Sequence, residues 1–166
     1  MTGYNYMKAQ GVDSMTTSMV YVSLLSEKAK PPTRNNSLDA GLDLYALEDT
    51  FIELNQTKVV KTGIAVAIPY GHVGKIEDRS SMATKGLRTG GGVVDAGYAG
   101  EVGVVVHNLN NASNKDPVLW RGGYLIKAGD KIAQLLVYKV ELPKVEVVES
   151  LETTDRGTKG FGSSGR

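Results

Sequence analysis

Apolar and polar residues alternate in short bursts along most of the chain. Eight stretches rich in Val, Ile, Leu, Tyr and Thr stand out: 19–25, 42–47, 50–54, 57–69, 72–78, 101–109, 131–142 and 144–150. Most are bounded by Gly, Pro, Asn or Asp, and FIEL and KVEVVE alternate with period two, which predicts β-strands. GIAVAI and VVV do not alternate, which suits strands buried on both faces. Only 80–87 (SSMATKGL) predicts a short helix, opening on serine and stopping at Gly86. Many short strands with almost no helix argue for an all-β fold, a jelly-roll-like barrel or sandwich. The turn-rich segment 110–129, with the only tryptophan (Trp120), reads as a hairpin excursion. Residues 1–18 follow neither hydrophobic period and read as a disordered leader; 19–150 read as the β domain and 151–166 as a flexible arm.

Composition narrows the function classes. Nineteen Lys and Arg against 18 Asp and Glu give a net charge of +1, so no global field recruits nucleic acid or an anionic membrane. An anionic ligand must then be held by a local cluster. With no cysteine, disulfides, thiolate metal sites and thiol catalysis are excluded. No apolar run approaches the ~20 residues of a membrane helix, and the start lacks a signal-peptide pattern, so a cytoplasmic protein is expected. Glycine is abundant, 20 of 166 residues, or about 12% against a usual ~7%. There is no phosphate-binding loop ending in Gly-Lys-Ser/Thr, no dinucleotide fingerprint and no Gly-x-Ser-x-Gly elbow. His72 and His107 lie far apart in strand-like runs and read as structural or surface residues.

What remains is a series of polar clusters at strand ends. In DAGLDLYA (39–46), Asp39 and Asp43 flank a glycine turn, so one can cap the turn while the other points into a cleft. In EDRSSMATKGL (77–87), Arg79, Ser80 and Ser81 either form an anion cradle at a helix start or simply cap it. In TGGGVVDAGYAGE (89–101), a glycine-rich hairpin lets backbone approach a flat ligand, Tyr98 offers a ring face and Asp95 is a candidate general base. In AGDKIAQLLV (128–137), the mid-strand Gln134 must pair structurally or face a ligand. The tail RGTKGFGSSGR (156–166) sets Phe161 among Arg156, Lys159 and hydroxyls, a composition able to wrap a polyphosphate and stack on a base.

AGLDLYA, RSSMA, GVVDAGYAGE, GDKIAQL and RGTKGFGSSG resemble, in order, the five motifs of the trimeric dUTPases, over roughly residues 20–165. The resemblance implies a homotrimer hydrolysing dUTP to dUMP and pyrophosphate, with Mg²⁺ bridging the phosphates and each active site built from several subunits. Asp95 would activate the water that attacks the α-phosphorus. Arg79, Ser80, Ser81 and Gln134 would contact the phosphate chain, and Asp43 would act near the metal through water rather than as a direct ligand. Tyr98 would pack on the deoxyribose. Uracil would be read by backbone of the 89–98 hairpin, including Thr89, Gly92 and Val94. The arm would close as a lid, with Phe161 on uracil, Arg156 on the γ-phosphate, and Gly162, Ser163 and Ser164 at the phosphates.

Some positions depart from the family. Gly97 stands where some relatives carry a second aspartate, Thr89 where some carry asparagine, and Lys159 adds a charge to the arm. The 110–129 segment is longer than in compact members, and its Trp120 and Tyr124 suggest an exposed surface for a regulatory protein partner. A dCTP deaminase shares the fold, but the glutamate it needs ten residues after the third-motif aspartate is Val105 here.

Overall fold

The computed structural model describes residues 19–111, 123–152 and 157. Eleven strands and one helical turn follow one another among these residues. They are β1 (Tyr21–Leu24), β2 (Leu42–Tyr45), β3 (Thr50–Glu53), β4 (Thr57–Val60), β5 (Ile64–Ala67) and β6 (His72–Asp78). Then come α1 (Ser80–Ala83), β7 (Leu87–Gly90), β8 (Val93–Asp95), β9 (Val104–Asn108), β10 (Gly123–Ile126) and β11 (Lys131–Lys139). All pairings are antiparallel: β1 with β5, β3 with β10, a four-stranded sheet β2-β11-β6-β8 and a three-stranded sheet β4-β9-β7. The expected all-β fold is present, as open sheets with no closed barrel among the described residues. No helix in these residues is long and apolar enough to cross a membrane.

Period two governs burial. Val104, Val106 and Asn108 of β9 point inward, whereas Val105 and His107 face the other way and are half-buried. β5 alternates in the same manner, so the runs expected to be buried on both faces are buried on one. Leu44, Ile52, Val60, Val104, Ile126 and Leu135 are fully enclosed and tie the sheets into one core. The long run 57–69 is two strands: it breaks after Val60, where Gly63 adopts φ +69° with Leu47 and Ala29 against it.

Two expectations change in the second half of the chain. At its described end the 110–129 segment is no excursion: strand β10 pairs with the distant β3, and Tyr124 is 6% exposed. Its hydroxyl accepts a hydrogen bond from Lys85 Nζ at 3.2 Å, so Tyr124 belongs to the core rather than to an exposed aromatic surface. Trp120 lies outside the described residues. Likewise 144–150 forms no strand. From Glu141 to Glu152 the chain is exposed and makes no ladder with the described residues, with Val145 and Val147 at 93% and 95% exposure.

Candidate active site

Three of the polar clusters meet at one carboxylate. β2 and β11 are neighbours, and their register sets Gln134 opposite Asp43. A bulge between Lys131 and Ala133 inserts one extra residue into β11. Residues three apart on a regular strand face opposite sides. The bulge reverses that parity, so both Lys131 and Gln134 reach Asp43: Lys131 Nζ at 2.7 Å from Oδ2 and Gln134 Nε2 at 3.3 Å from Oδ1. Arg79, just beyond β6, donates from Nε to Asp43 Oδ1 at 2.9 Å. Its Nη1 reaches Ser81 Oγ at 3.2 Å and the Lys131 carbonyl at 3.4 Å. Gly41 is the floor under Gln134, because a Cβ there would lie 3.0 Å from the amide carbon.

The Asp43 side chain is 5% exposed. Burial opposes its charge, but hydrogen bonds from Lys131 and Gln134 and the charges of Arg79 and Lys131 outweigh it, holding the carboxyl below the ordinary aspartate value. Lys131 is raised in turn, first by its hydrogen bond to Asp43. Asp43 is thus a fixed anion ordering two cations and an amide. Asp39, the other aspartate of the motif, caps the preceding turn, accepting from Asn36 N at 2.8 Å and Asn36 Nδ2 at 3.1 Å. The either-or of the sequence resolves: Asp39 caps and Asp43 points inward.

At α1 the N-cap residue is Arg79, in extended conformation and without a side-chain cap bond. The serines therefore sit inside the first turn rather than capping it, and both are exposed. Their N–H groups have no acceptor within the helix.

The glycine-rich stretch does not form the expected hairpin: β7 pairs with β9 and β8 with β6, so the glycines carry the chain from one sheet to another. β7 and β8 are joined through Gly91 at φ +57°, and Gly92 packs so tightly on β6 that a Cβ would stand 2.4 Å from the Ile76 carbonyl oxygen. Ile76 N donates to Gly92 O at 2.7 Å. Val94 is buried, so only its backbone can meet a ligand. Thr89 donates its N–H and its hydroxyl to Asp78 Oδ1, at 2.6 and 2.9 Å. Asp95 ends β8 with its side chain exposed and no side-chain bond among the described residues. A turn follows, closed by Tyr98 N on Asp95 O at 3.0 Å. The Tyr98 ring lies over Gly100 and its hydroxyl donates to the Glu101 carbonyl at 2.8 Å, leaving the ring 47% exposed.

The two halves stand apart. Asp95 pairs with Val73, six residues along β6 from Arg79, a separation of roughly 20 Å at 3.3 Å per residue. Arg156, Phe161, Gly162, Ser163 and Ser164 lie outside the described residues, as do Lys159 and Arg166. Sequence reasoning gave no role to Lys131, Asp78 or the packing of His107; the bulge and the long-range pairings that bring them in leave no local signature.

Among the described residues no group of three or more His, Asp or Glu could cage a metal ion. Asp43, the buried carboxylate, is already engaged by Arg79 and Lys131.

Comparison with known proteins places the chain among its relatives. A family model described as dUTPase matches residues 27–165. The chain is 43% identical over 156 residues to the deoxyuridine 5'-triphosphate nucleotidohydrolase of Kluyveromyces lactis, covering 93% of this chain and 98% of the relative. It is 47% identical over 137 residues to that of Rhodococcus erythropolis, covering 81% and 78%. Among solved structures, the Staphylococcus bacteriophage 80alpha dUTPase with dUpNHpp superposes with a TM-score of 0.81 at 34% identity, covering 90% of this chain and 100% of that one. A phage phi11 dUTPase described with a structural Mg(II) ion superposes at 0.72 and 36% identity, covering 81% and 99%. The chain belongs to the dUTPase family.

Proposed function

We propose that this protein hydrolyses dUTP to dUMP and pyrophosphate, in active sites assembled between subunits of a homotrimer. The observation that carries this reading is the division of the machinery. Arg79, Gln134, Lys131 and the Ser80–Ser81 turn gather around buried Asp43, while Asp95 stands at the far end of β6, roughly 20 Å from Arg79. Each half is incomplete alone, and closed cyclic assembly brings one half of each chain against the other half of its neighbour.

In this reading Arg79 and Gln134 hold the phosphate chain with the free N–H groups of α1, and Ser80 and Ser81 add hydroxyl donors. Asp43 does not touch substrate; it keeps Arg79 and Lys131 oriented. Asp95 of another subunit takes a proton from the water that attacks the α-phosphorus, its exposed carboxylate free to accept it. Tyr98 lies flat on the deoxyribose, leaving no room for a 2′-hydroxyl. Backbone N–H and C=O groups from Thr89 to Val94 read uracil as a base-pairing partner would. The arm residues Arg156, Phe161, Gly162, Ser163 and Ser164 close on the bound nucleotide.

The donor set fits magnesium carried by the triphosphate and water, with Asp43 at most in an outer position and no inner-sphere protein carboxylate. Bound in that way, the ion neutralises phosphate charge. The chain divides into leader 1–18, β domain 19–150 and lid arm 151–166, and acts in the cytoplasm. A regulatory protein partner on the 110–129 segment would add to catalysis, since every catalytic position is filled.

The test is pyrophosphate release with Mg²⁺ from dUTP, dTTP, dCTP and UTP. Selective turnover of dUTP is expected; equal rates on dTTP would overturn the uracil assignment, and turnover of UTP would overturn the role of Tyr98.

A further inference from the structure

The turn read as the uracil template, which passes from β7 in one sheet to β8 in another, is built from the softest backbone available, three consecutive glycines. A template that rejects one methyl group must nevertheless be stiff, so its rigidity has to come from outside. Two side chains on other strands supply it. From β6, Asp78 accepts from both donors of Thr89, and its second oxygen is fixed by Arg88 Nε at 2.8 Å. From β9, His107 lies diagonally across from Gly90, and its Nε2 is 2.6 Å from where a Cβ on that glycine would stand. The ring therefore covers the Gly90 α-carbon. It is locked in place by Nδ1, 2.6 Å from Thr57 Oγ1 on β4. The turn is clamped at Thr89 from one side and at Gly90 from the other, while Ile76 N holds Gly92 O.

We propose that Asp78 and His107 are positioning residues that set base specificity: neither touches the nucleotide, and together they fix the Thr89–Gly92 backbone at the spacing that admits uracil and excludes thymine. This rests on the dUTPase reading above. Uracil and thymine differ by one methyl, a difference a fitted pocket discriminates by about 10–200-fold. Loosening the pocket wall lowers that ratio while the chemistry at Asp95, at the far end of β8, is left in place.

Steady-state pyrophosphate release on dUTP and dTTP is measured for the wild type, Asp78→Ala, His107→Ala and His107→Phe, with a thermal melt of each. Asp78→Ala and His107→Ala are expected to raise KM for dUTP about tenfold and narrow the dUTP preference by a similar factor, with kcat within about twofold. His107→Phe, which keeps a flat ring over Gly90, should restore both. An unchanged KM and preference in the alanine variants, or a His107→Phe protein no better than His107→Ala, overturns the proposal while leaving the function intact. Lack of dUTP turnover by the wild type overturns the function, and this inference with it.

Discussion

Asp43 is the residue on which the cluster of Arg79, Lys131 and Gln134 turns. Replacing it with alanine leaves Arg79 and Lys131 facing each other without their anion. A buried pair broken in this way costs about 3–5 kcal/mol; with Lys131 a third exposed to solvent, about 2 kcal/mol is expected from urea unfolding. The pH dependence follows from the depressed carboxyl. Its contribution is present above the 3.8 of an unperturbed aspartate and is lost as pH falls through the lower folded value, so an acid titration of stability should steepen below 3.8 in the wild type and flatten in Asp43→Asn. Raised Lys131 gives the mirror image, present below 10.5 and lost as pH climbs through its higher folded value. Asp95→Asn, by contrast, should abolish turnover and leave melting temperature and nucleotide binding nearly unchanged, since the exposed side chain makes no side-chain bond among the described residues. The residue types and order around Asp43 were legible in the sequence. The grouping was not, because Lys131 reaches Asp43 only through a bulge that the motif GDKIAQL does not announce.

Strands and their inward faces follow from composition, but the expected hairpin at the glycines is a passage between two sheets, and those glycines are required by contacts rather than by flexibility alone. Gly92→Ala is the sharpest test of that element. A methyl 2.4 Å from the Ile76 carbonyl must push β8 off β6, at a cost of about 1–3 kcal/mol. It should also weaken dUTP binding, read as a KM increase with a smaller change in kcat. Partner choice was much less legible. β10 finds β3 across some seventy residues, and nothing local to either strand says so. The serines of α1 looked like caps because Ser commonly begins helices; Arg79 holds that place instead, its side chain drawn away to Asp43.

At the scale of the whole molecule, the separation of Asp95 from Arg79 makes a quantitative claim. Arg79→Ala and Asp95→Asn chains are each expected to be inactive as homotrimers. Refolded together in equal amounts, random mixing gives about a quarter of the sites an intact Arg79 from one chain and an intact Asp95 from its neighbour. Recovery of about that fraction of wild-type activity is expected; no recovery would mean that each chain builds its own site. The sequence carries both halves of the machinery but not their distance, which depends on Asp95 and Arg79 marking opposite ends of β6.

The exposed run from Glu141 to Glu152 has a consequence for how the protein behaves in a dilute solution. Alternating valines at 93% and 95% exposure are an open invitation to pair with another backbone. In the proposed homotrimer a second chain is the cover for this run, which makes activity depend on protein concentration. Specific activity should therefore fall when the enzyme is diluted and recover on reconcentration, and cells making it slowly would face the longest interval in which the uncovered arm can find the wrong partner.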